Sequence, residues 1–140
     1  MILSFENETM VNKALRIFLV EDSPILRERL SDMLATWGDV TIVGHAETEE
    51  SAVSQLQTGE WDVLILDLQL LRGTGLGVLR GLSGQRKPDT TVIVLTNYAI
   101  PSYHTHSMQL GADYFFDKAH EFGRIVDVLD DINKKRRAVQ

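Results

Sequence analysis

The chain has 140 residues, the length of one typical domain, and 24% of them are charged, an ordinary share for a soluble globular protein. It contains no cysteine, which excludes disulfides and thiolate metal sites, and no apolar run approaches the ~20 residues that a membrane span needs. The net charge of −6 argues against direct nucleic-acid binding, because nucleic-acid-binding domains usually carry a basic surface. These features favour a cytoplasmic protein that binds neither nucleic acid nor a membrane.

Apolar runs rich in β-branched residues alternate along the chain with segments of helical spacing. Residues 1–13 are polar and aperiodic, and we expect them to form a flexible arm. Strands are predicted, in chain order, at Leu15–Val20, Val40–Val43, Trp61–Asp67, Thr91–Leu95 and Asp113–Phe116. Helices are predicted between and after them at Ser23–Trp37, Thr48–Thr58, Gly75–Leu82, Pro101–Leu110 and Glu121–Lys135.

Five strands that alternate with five helices predict an α/β fold, a doubly wound parallel sheet with helices on both faces. The apolar run that ends at Asp67 is nearly continuous, which is typical of a strand buried on both faces. Ser23 followed by Pro24 has the features of a helix N-terminus, and Gly38 marks the end of that helix.

Polar side chains follow several of the predicted strands at the point where each strand ends. In open α/β sheets, ligands bind beyond the carboxyl ends of the strands. The residues at these ends are Glu21 and Asp22 after the first strand, Asp67 at the third, Thr96 and Asn97 after the fourth, and Lys118 after the fifth. Three carboxylates, a hydroxyl and an ammonium group are therefore expected at one edge of the sheet.

Three carboxylates packed together are unfavourable unless a positive charge lies among them. Mg²⁺ fits this need, because it prefers oxygen ligands and is held by one or two carboxylates. With a cation in place, one carboxylate can attack phosphorus, and Lys118 and Thr96 can bind the oxygens of the arriving phosphoryl group.

This set of residues resembles the signature of response-regulator receiver domains, the chemotaxis-type modules of two-component signalling. The resemblance is carried by Glu21-Asp22-Ser23-Pro24, Asp67, Thr96, Lys118 and Gly111-Ala112-Asp113, and it covers roughly residues 14–135. It implies a flavodoxin-like strand order of 2-1-3-4-5. It also implies one receiver domain over residues 14–137, without an output domain after it.

The resemblance implies that Asp67 takes a phosphoryl group from a sensor histidine kinase or a histidine phosphotransfer protein. Mg²⁺ would be bound by Asp22, by Asp67, by the backbone carbonyl of Gln69 and, through water, by Glu21. Lys118 would pair with the phosphate. Such a protein catalyses only its own phosphorylation and dephosphorylation, so it is not an enzyme in the usual sense.

The resemblance also implies a switch made of Thr96 and Phe115, the first moving toward the phosphate and the second turning inward. The output surface would comprise the fourth helix, the fifth strand and the fifth helix, where a downstream protein or a second copy of the chain binds. Asn97 and Tyr98 would flank the phosphate, and we expect Tyr98 to shield it from water.

Four positions differ from the usual family pattern. Leu71 stands where proline is frequent, which we expect to loosen the loop, and Asn97 stands where a small residue is usual, which narrows access to the phosphate. Ala119 replaces a frequent cis proline after Lys118; a non-proline cis bond costs ~3–4 kcal/mol, so this peptide bond can be trans. Phe115 lacks the hydroxyl group of a tyrosine.

Two other functions stay open on the sequence alone. A degenerate receiver could act only as a protein-binding scaffold. An aspartyl-phosphate phosphatase of the haloacid-dehalogenase type is less favoured, because those enzymes carry a second Asp two residues after the nucleophile, where this chain has Gln69.

Overall fold

The computed structural model describes residues 14–138. The predicted arm at residues 1–13 lies outside the described residues. The strands are β1 Leu15–Val20, β2 Val40–Ala46, β3 Val63–Leu66, β4 Thr91–Thr96 and β5 Tyr114–Asp117. The helices are α1 Pro24–Trp37, α2 Glu49–Thr58, α3 Gly75–Leu82, α4 Pro101–Gln109 and α5 Arg124–Ala138.

All five strands are parallel and lie in the order β2-β1-β3-β4-β5, which confirms the predicted topology. Val20 pairs with Leu66, Leu66 with Val94, and Thr96 with Asp117. The carboxyl ends of β1, β3, β4 and β5 therefore lie side by side. This register places the loops that follow these strands along one edge of the sheet.

Helices cover both faces of the sheet, as predicted. On one face, α1 and α5 pack through buried residues such as Leu30, Leu34 and Leu129. On the other face, α2 and α3 pack through residues such as Leu56 and Val78, with α4 beside them. β3 lies in the middle, and all four of its residues are buried, as its continuous apolar run predicted. Among residues 14–138, no helix is long and apolar enough to cross a membrane.

Side-chain caps fix the starts of three helices. Ser23 Oγ accepts from the N–H of Leu26 at 3.3 Å, which confirms the predicted start of α1. Thr48 and Thr74 cap α2 and α3 in the same way. In contrast, α4 begins without a side-chain cap, and Ser107 is its one buried residue.

Several predicted boundaries were wrong by a few residues. β2 continues to Ala46 because it pairs with β1 on both sides of an irregularity at Val43, and β3 begins at Val63 and ends before Asp67. β4 extends one residue further, to Thr96, and β5 is shifted by one residue toward the C-terminus.

α4 ends at Gln109, with Leu110 as its cap, and α5 begins at Arg124 and runs to Ala138. The predicted start of α5, at Glu121, was wrong because residues 118–123 form a turn instead. In this turn Asp117 Oδ1 accepts from the N–H of Ala119 at 2.7 Å, and Glu121 Oε1 accepts from the N–H of Asp117 at 3.0 Å. The next backbone bonds have three-residue spacing, such as the one from the N–H of Arg124 to the carbonyl oxygen of Glu121 at 2.9 Å, so the chain passes through a tighter turn before α5 begins.

Candidate phosphoryl-acceptor site

The backbone at the carboxyl edge of the sheet is held by hydrogen bonds between adjacent strands. The N–H of Asp67 donates to the carbonyl oxygen of Val20 at 2.9 Å, and the N–H of Lys118 donates to the carbonyl oxygen of Thr96 at 2.9 Å. The backbones of Asp67 and Lys118 are therefore fixed next to the ends of neighbouring strands, although the two residues are distant in sequence.

Lys118 forms the centre of a buried cluster of charges. Its Nζ lies 2.6 Å from Oε1 of Glu21 and 2.8 Å from Oδ2 of Asp67, and the three side chains are only 4–8% exposed. The other carboxylate oxygens are bound as well. Glu21 Oε2 accepts from the N–H of Ser23 at 3.1 Å, and Asp67 Oδ1 accepts from the N–H of Gln69 at 3.2 Å.

Burial and pairing change the pKa values in this cluster. Burial raises the pKa of Glu21 above its ordinary value, and the hydrogen bond from Lys118 only partly offsets this effect. Burial by itself would lower the pKa of Lys118, but its bonds to Asp67 and Glu21 raise the pKa overall. Lys118 is therefore held firmly as a cation between the two carboxylates.

Asp22 completes an acidic group next to Lys118. Glu21, Asp22 and Asp67 each offer a carboxylate oxygen, and these oxygens lie within 4.8 Å of one another. Asp22 is half-buried, whereas the other two residues are buried. A set of carboxylate oxygens this close together fits a hard divalent cation such as Mg²⁺.

Thr96 ends β4 at the same edge and is fully buried. Its Oγ1 accepts from the N–H of Tyr98 at 3.1 Å, which leaves the hydroxyl proton available for an acceptor. Asn97 is exposed and Tyr98 is 48% exposed, so both lie on the outer side of this loop.

Phe115 lies on β5, two strands away from Asp67, and is half-buried. Its ring packs against the ring of His104 on α4, with 5.0 Å between the ring centroids and 48° between the planes. Phe115 therefore joins β5 to α4 within the predicted output surface.

The loop from Asp67 to α3 is tightly held. Gly75 donates its N–H to the carbonyl oxygen of Leu68 at 2.9 Å, and Leu71 donates its N–H to the carbonyl oxygen of Glu47 at 3.0 Å. The expected loosening by Leu71 stays a prediction, and one bond opposes it: the N–H of Leu71, which a proline lacks, joins the loop to the neighbouring β2–α2 loop. The Lys118–Ala119 peptide bond is trans, as are all the peptide bonds described in residues 14–138.

Comparison with known families decides the identity of this arrangement. The family model for the response regulator receiver domain matches residues 17–130, which is most of the chain. The chain belongs to the response-regulator receiver family.

Relatives and solved structures agree with this membership. The receiver is 27% identical over 123 residues to the transcriptional regulatory protein DegU of Brevibacillus brevis, a match that covers 88% of the chain and 52% of the relative. It is 29% identical over 116 residues to protein-glutamate methylesterase/protein-glutamine glutaminase 1 of Carboxydothermus hydrogenoformans, which covers 81% of the chain and 34% of the relative. The receiver thus spans about half or less of the length of these two proteins.

Among solved structures, the receiver is similar to the signal receiver domain of the putative response regulator NarL from Mycobacterium tuberculosis. The TM-score is 0.76 at 25% identity, and the match covers 87% of this chain and 98% of that one. The five-stranded fold with strand order 2-1-3-4-5 is therefore the receiver fold, as the resemblance implied.

The receiver brings four of the predicted site residues into one cluster, namely Glu21, Asp22, Asp67 and Lys118. Sequence reasoning missed the role of Arg27, which donates to the carbonyl oxygen of Glu21 at 2.8 Å and to Oε1 of Glu47 at 2.9 Å. No motif marks this pair, because it joins a helix to a loop 20 residues away. The one available signal was that Arg27 lies in the first turns of α1, close in sequence to Glu21.

Proposed function

We propose that this receiver accepts a phosphoryl group on Asp67 from a phosphohistidine of a sensor histidine kinase or a histidine phosphotransfer protein. The observation that carries the proposal is the Lys118 ammonium group, bound between the buried carboxylates of Asp67 and Glu21. Phosphoryl transfer asks a protein mainly for positioning and for neutralisation of charge, and this cluster offers both.

In the proposed reaction, one carboxylate oxygen of Asp67 forms a bond to phosphorus. The bond from phosphorus to the imidazole nitrogen breaks, and the imidazole keeps the electron pair. Lys118, already within 2.8 Å of Asp67, can then pair with a phosphoryl oxygen. The hydroxyl group of Thr96 can donate its proton to another phosphoryl oxygen.

Mg²⁺ is part of the proposal, and it would supply positive charge next to the transferred group. Glu21, Asp22 and Asp67 would hold it, with the backbone carbonyl of Gln69 as a further ligand. The close carboxylate oxygens support this assignment, because three acidic groups and one ammonium group leave an excess of negative charge.

Exposed apolar side chains in the segments that follow the strands around Asp67 support docking of a protein donor. Ile25 is 73% exposed, Leu71 64%, Tyr98 48% and Ile100 47%. These residues belong to the segments that follow β1, β3 and β4, the same edge that carries the acidic cluster. We propose that the donor protein contacts them while its phosphohistidine reaches Asp67. Histidine kinases transfer phosphoryl groups in the cytoplasm, so a cytoplasmic location belongs to the proposal.

We further propose that phosphorylation changes the surface formed by α4, β5 and α5 through Thr96 and Phe115. A phosphoryl group adds charge and acceptor oxygens that bias a two-state element. A downstream protein or a second copy of the chain would bind this surface. The module itself would act without catalysing a reaction on another substrate and without contacting DNA.

The experiment that tests the proposal uses acetyl phosphate and Mg²⁺ with the full chain, followed by intact-protein mass measurement. We expect one phosphoryl group per chain, no adduct with Asp67→Asn, and none when the Mg²⁺ is chelated. Absence of any adduct on the wild-type protein, also from a phosphorylated histidine phosphotransfer protein, would leave only a scaffold function. Release of many equivalents of phosphate would instead indicate a phosphatase.

A further inference from the structure

Arg27 binds two of the loops at the carboxyl edge of the sheet. Its Nη1 donates to the carbonyl oxygen of Glu21 at 2.8 Å and to Oε1 of Glu47 at 2.9 Å. The Arg27 side chain is 18% exposed and that of Glu47 is 38% exposed, so the guanidinium group is largely shielded from water while its bond to Glu47 lies at the surface. The backbone of Glu21 is also held on its other side, because its N–H donates to the carbonyl oxygen of Ala46 at 3.0 Å.

Glu47 extends this set of bonds to the loop that follows Asp67. Its carbonyl oxygen accepts from the N–H of Leu71 at 3.0 Å. Leu71 lies two residues after Gln69, whose own N–H donates to Oδ1 of Asp67 at 3.2 Å. A series of hydrogen bonds and short backbone segments therefore runs from Arg27, through Glu47, to the carboxylate of Asp67.

This series depends on two features of the sequence. The ion pair requires an acidic residue at Glu47, opposite the arginine of α1. The backbone bond requires a residue with an N–H at Leu71, where a proline would remove the donor. Both requirements are met, and neither residue is needed to fill the core, because Leu71 is 64% exposed and Glu47 is half-buried.

We propose that Arg27, Glu47 and the amide group of Leu71 form a positioning network for phosphoryl transfer. The network fixes the backbone of Glu21 relative to the loop of Asp67, and so holds the two carboxylates that contact Lys118 in register. This inference rests on the proposed function. The three residues do not touch the reacting atoms, so they act by positioning, where displacements of about 1 Å cost large factors in rate.

Replacement of the arginine tests the network at its start. We expect Arg27→Met to slow phosphorylation by acetyl phosphate roughly tenfold, since the loops lose their common donor. Arg27→Lys should recover part of the rate, because an ammonium group can still donate to one of the two acceptors. The matched control is Arg80→Met, an exposed arginine on α3 outside the network, and we expect it to react like the wild-type protein.

A second pair of variants isolates the backbone bond. Leu71→Pro removes the N–H, whereas Leu71→Ala keeps the N–H and removes the side chain. We expect Leu71→Pro to react several-fold more slowly than Leu71→Ala. The double variant Arg27→Met with Leu71→Pro should be less impaired than the product of the two single effects, because both act through Glu47.

A readout that does not depend on the reaction comes from amide NMR spectra without added metal. Arg27→Met should shift the amide resonances of Leu71 and Gln69 and speed hydrogen exchange at Leu71, whereas the thermal unfolding midpoint should change little. Equal rates for Leu71→Pro and Leu71→Ala, or an Arg27→Met variant that reacts like wild type, would overturn the network while the proposed function stands. A wild-type protein that takes no phosphoryl group would overturn both.

Discussion

Lys118 neutralises part of the negative charge of the acidic cluster. It contacts two carboxylates, and all three side chains are almost fully buried. A buried carboxylate that loses its partner keeps the cost of its desolvation without the compensating attraction. The same residue therefore serves both the folded state and the proposed chemistry.

Lys118→Met keeps the length of the side chain and removes its charge. We expect the free energy of unfolding at pH 7 to fall by roughly 3 kcal/mol, because Glu21 and Asp67 stay buried without their cation. Urea unfolding measures this change. Lys87→Met is the control, since the Lys87 side chain is exposed and its 3.3 Å pair with Glu60 is worth less than about 1 kcal/mol. An unchanged urea midpoint for Lys118→Met would contradict the importance of the buried cluster.

Gly75 is a second single residue with a large expected effect. A Cβ atom at this position would clash with the carbonyl oxygen of Asp67 and would lie 2.7 Å from Cα of Leu68. These are backbone atoms, so they can move only if the loop of Asp67 moves. Gly75→Ala should destabilise the fold by roughly 1–3 kcal/mol and should slow phosphorylation of Asp67.

The matched control for Gly75→Ala is Gly123→Ala, in the turn before α5, where a Cβ would meet nothing within 4 Å. We expect this control to cost less than about 1 kcal/mol and to leave the phosphorylation rate unchanged. The measurements are urea unfolding and the rate of adduct formation. If both glycine variants behaved alike, close contact at Gly75 would have no part in positioning Asp67.

At the scale of the elements, α4 has the fewest buried residues of the described helices. It starts without a side-chain cap, and its one buried residue is Ser107. The hydroxyl oxygen of Ser107 has no hydrogen-bond partner among the described residues. A buried hydroxyl group without a partner costs free energy, so Ser107 is a destabilising residue on the buried face of α4.

Ser107→Ala should therefore stabilise the protein, by roughly 1 kcal/mol. Ser102→Ala, an exposed position on the same helix, is the control for the difference in helix propensity between serine and alanine. Chemical unfolding of both variants measures the difference. A Ser107→Ala variant no more stable than the Ser102→Ala variant would mean that the hydroxyl group finds a partner in solution.

The sequence predicted the elements more completely than the contacts between them. Ser23, Thr48 and the apolar run before Asp67 gave the starts of α1 and α2 and the position of β3, because caps and periodicity act within a few residues. The turn at residues 118–123 was missed, since it depends on which backbone N–H groups the carboxylates of Asp117 and Glu121 accept from. The bond from Leu71 to Glu47 was missed for a similar reason: it joins two loops that come together only in the folded sheet.

For the molecule as a whole, charged groups stabilise the edge of the sheet opposite the acidic cluster. Arg16 donates to Asp62 through its backbone N–H at 2.8 Å and through Nε and Nη2 at 3.1 Å each. These bonds join the start of β1 to the segment before β3. Burial by itself would raise the pKa of Asp62, but the bonds from Arg16 hold it below its ordinary value.

The lowered pKa of Asp62 predicts a pH dependence of stability. The contribution of this carboxylate is complete above the pKa of the unfolded chain, about 4, and it is lost as the pH falls through the lower pKa of the folded state. Asp62→Asn should reduce the free energy of unfolding by about 1–2 kcal/mol at pH 7, and the difference from wild type should shrink below about pH 4.

Urea unfolding across this pH range measures the effect of Asp62→Asn. Asp89→Asn is the control, an exposed carboxylate at the same edge, and it should change the free energy of unfolding less at pH 7. A difference for Asp62→Asn that stayed constant as the solution became acidic would show that the pair with Arg16 is not the source of the stability.

The hydrogen bond from the N–H of Tyr98 to Oγ1 of Thr96 has a consequence for how the molecule responds to a signal. If the side chain of Thr96 rotates toward an arriving group, the N–H of Tyr98 loses this acceptor, and we expect water to replace it because residues 97–100 are exposed. Exchange of one such bond for a bond to water is nearly neutral in free energy, about 1 kcal/mol. We therefore expect the two rotamers to lie close in free energy, so that even a weak new acceptor can choose between them.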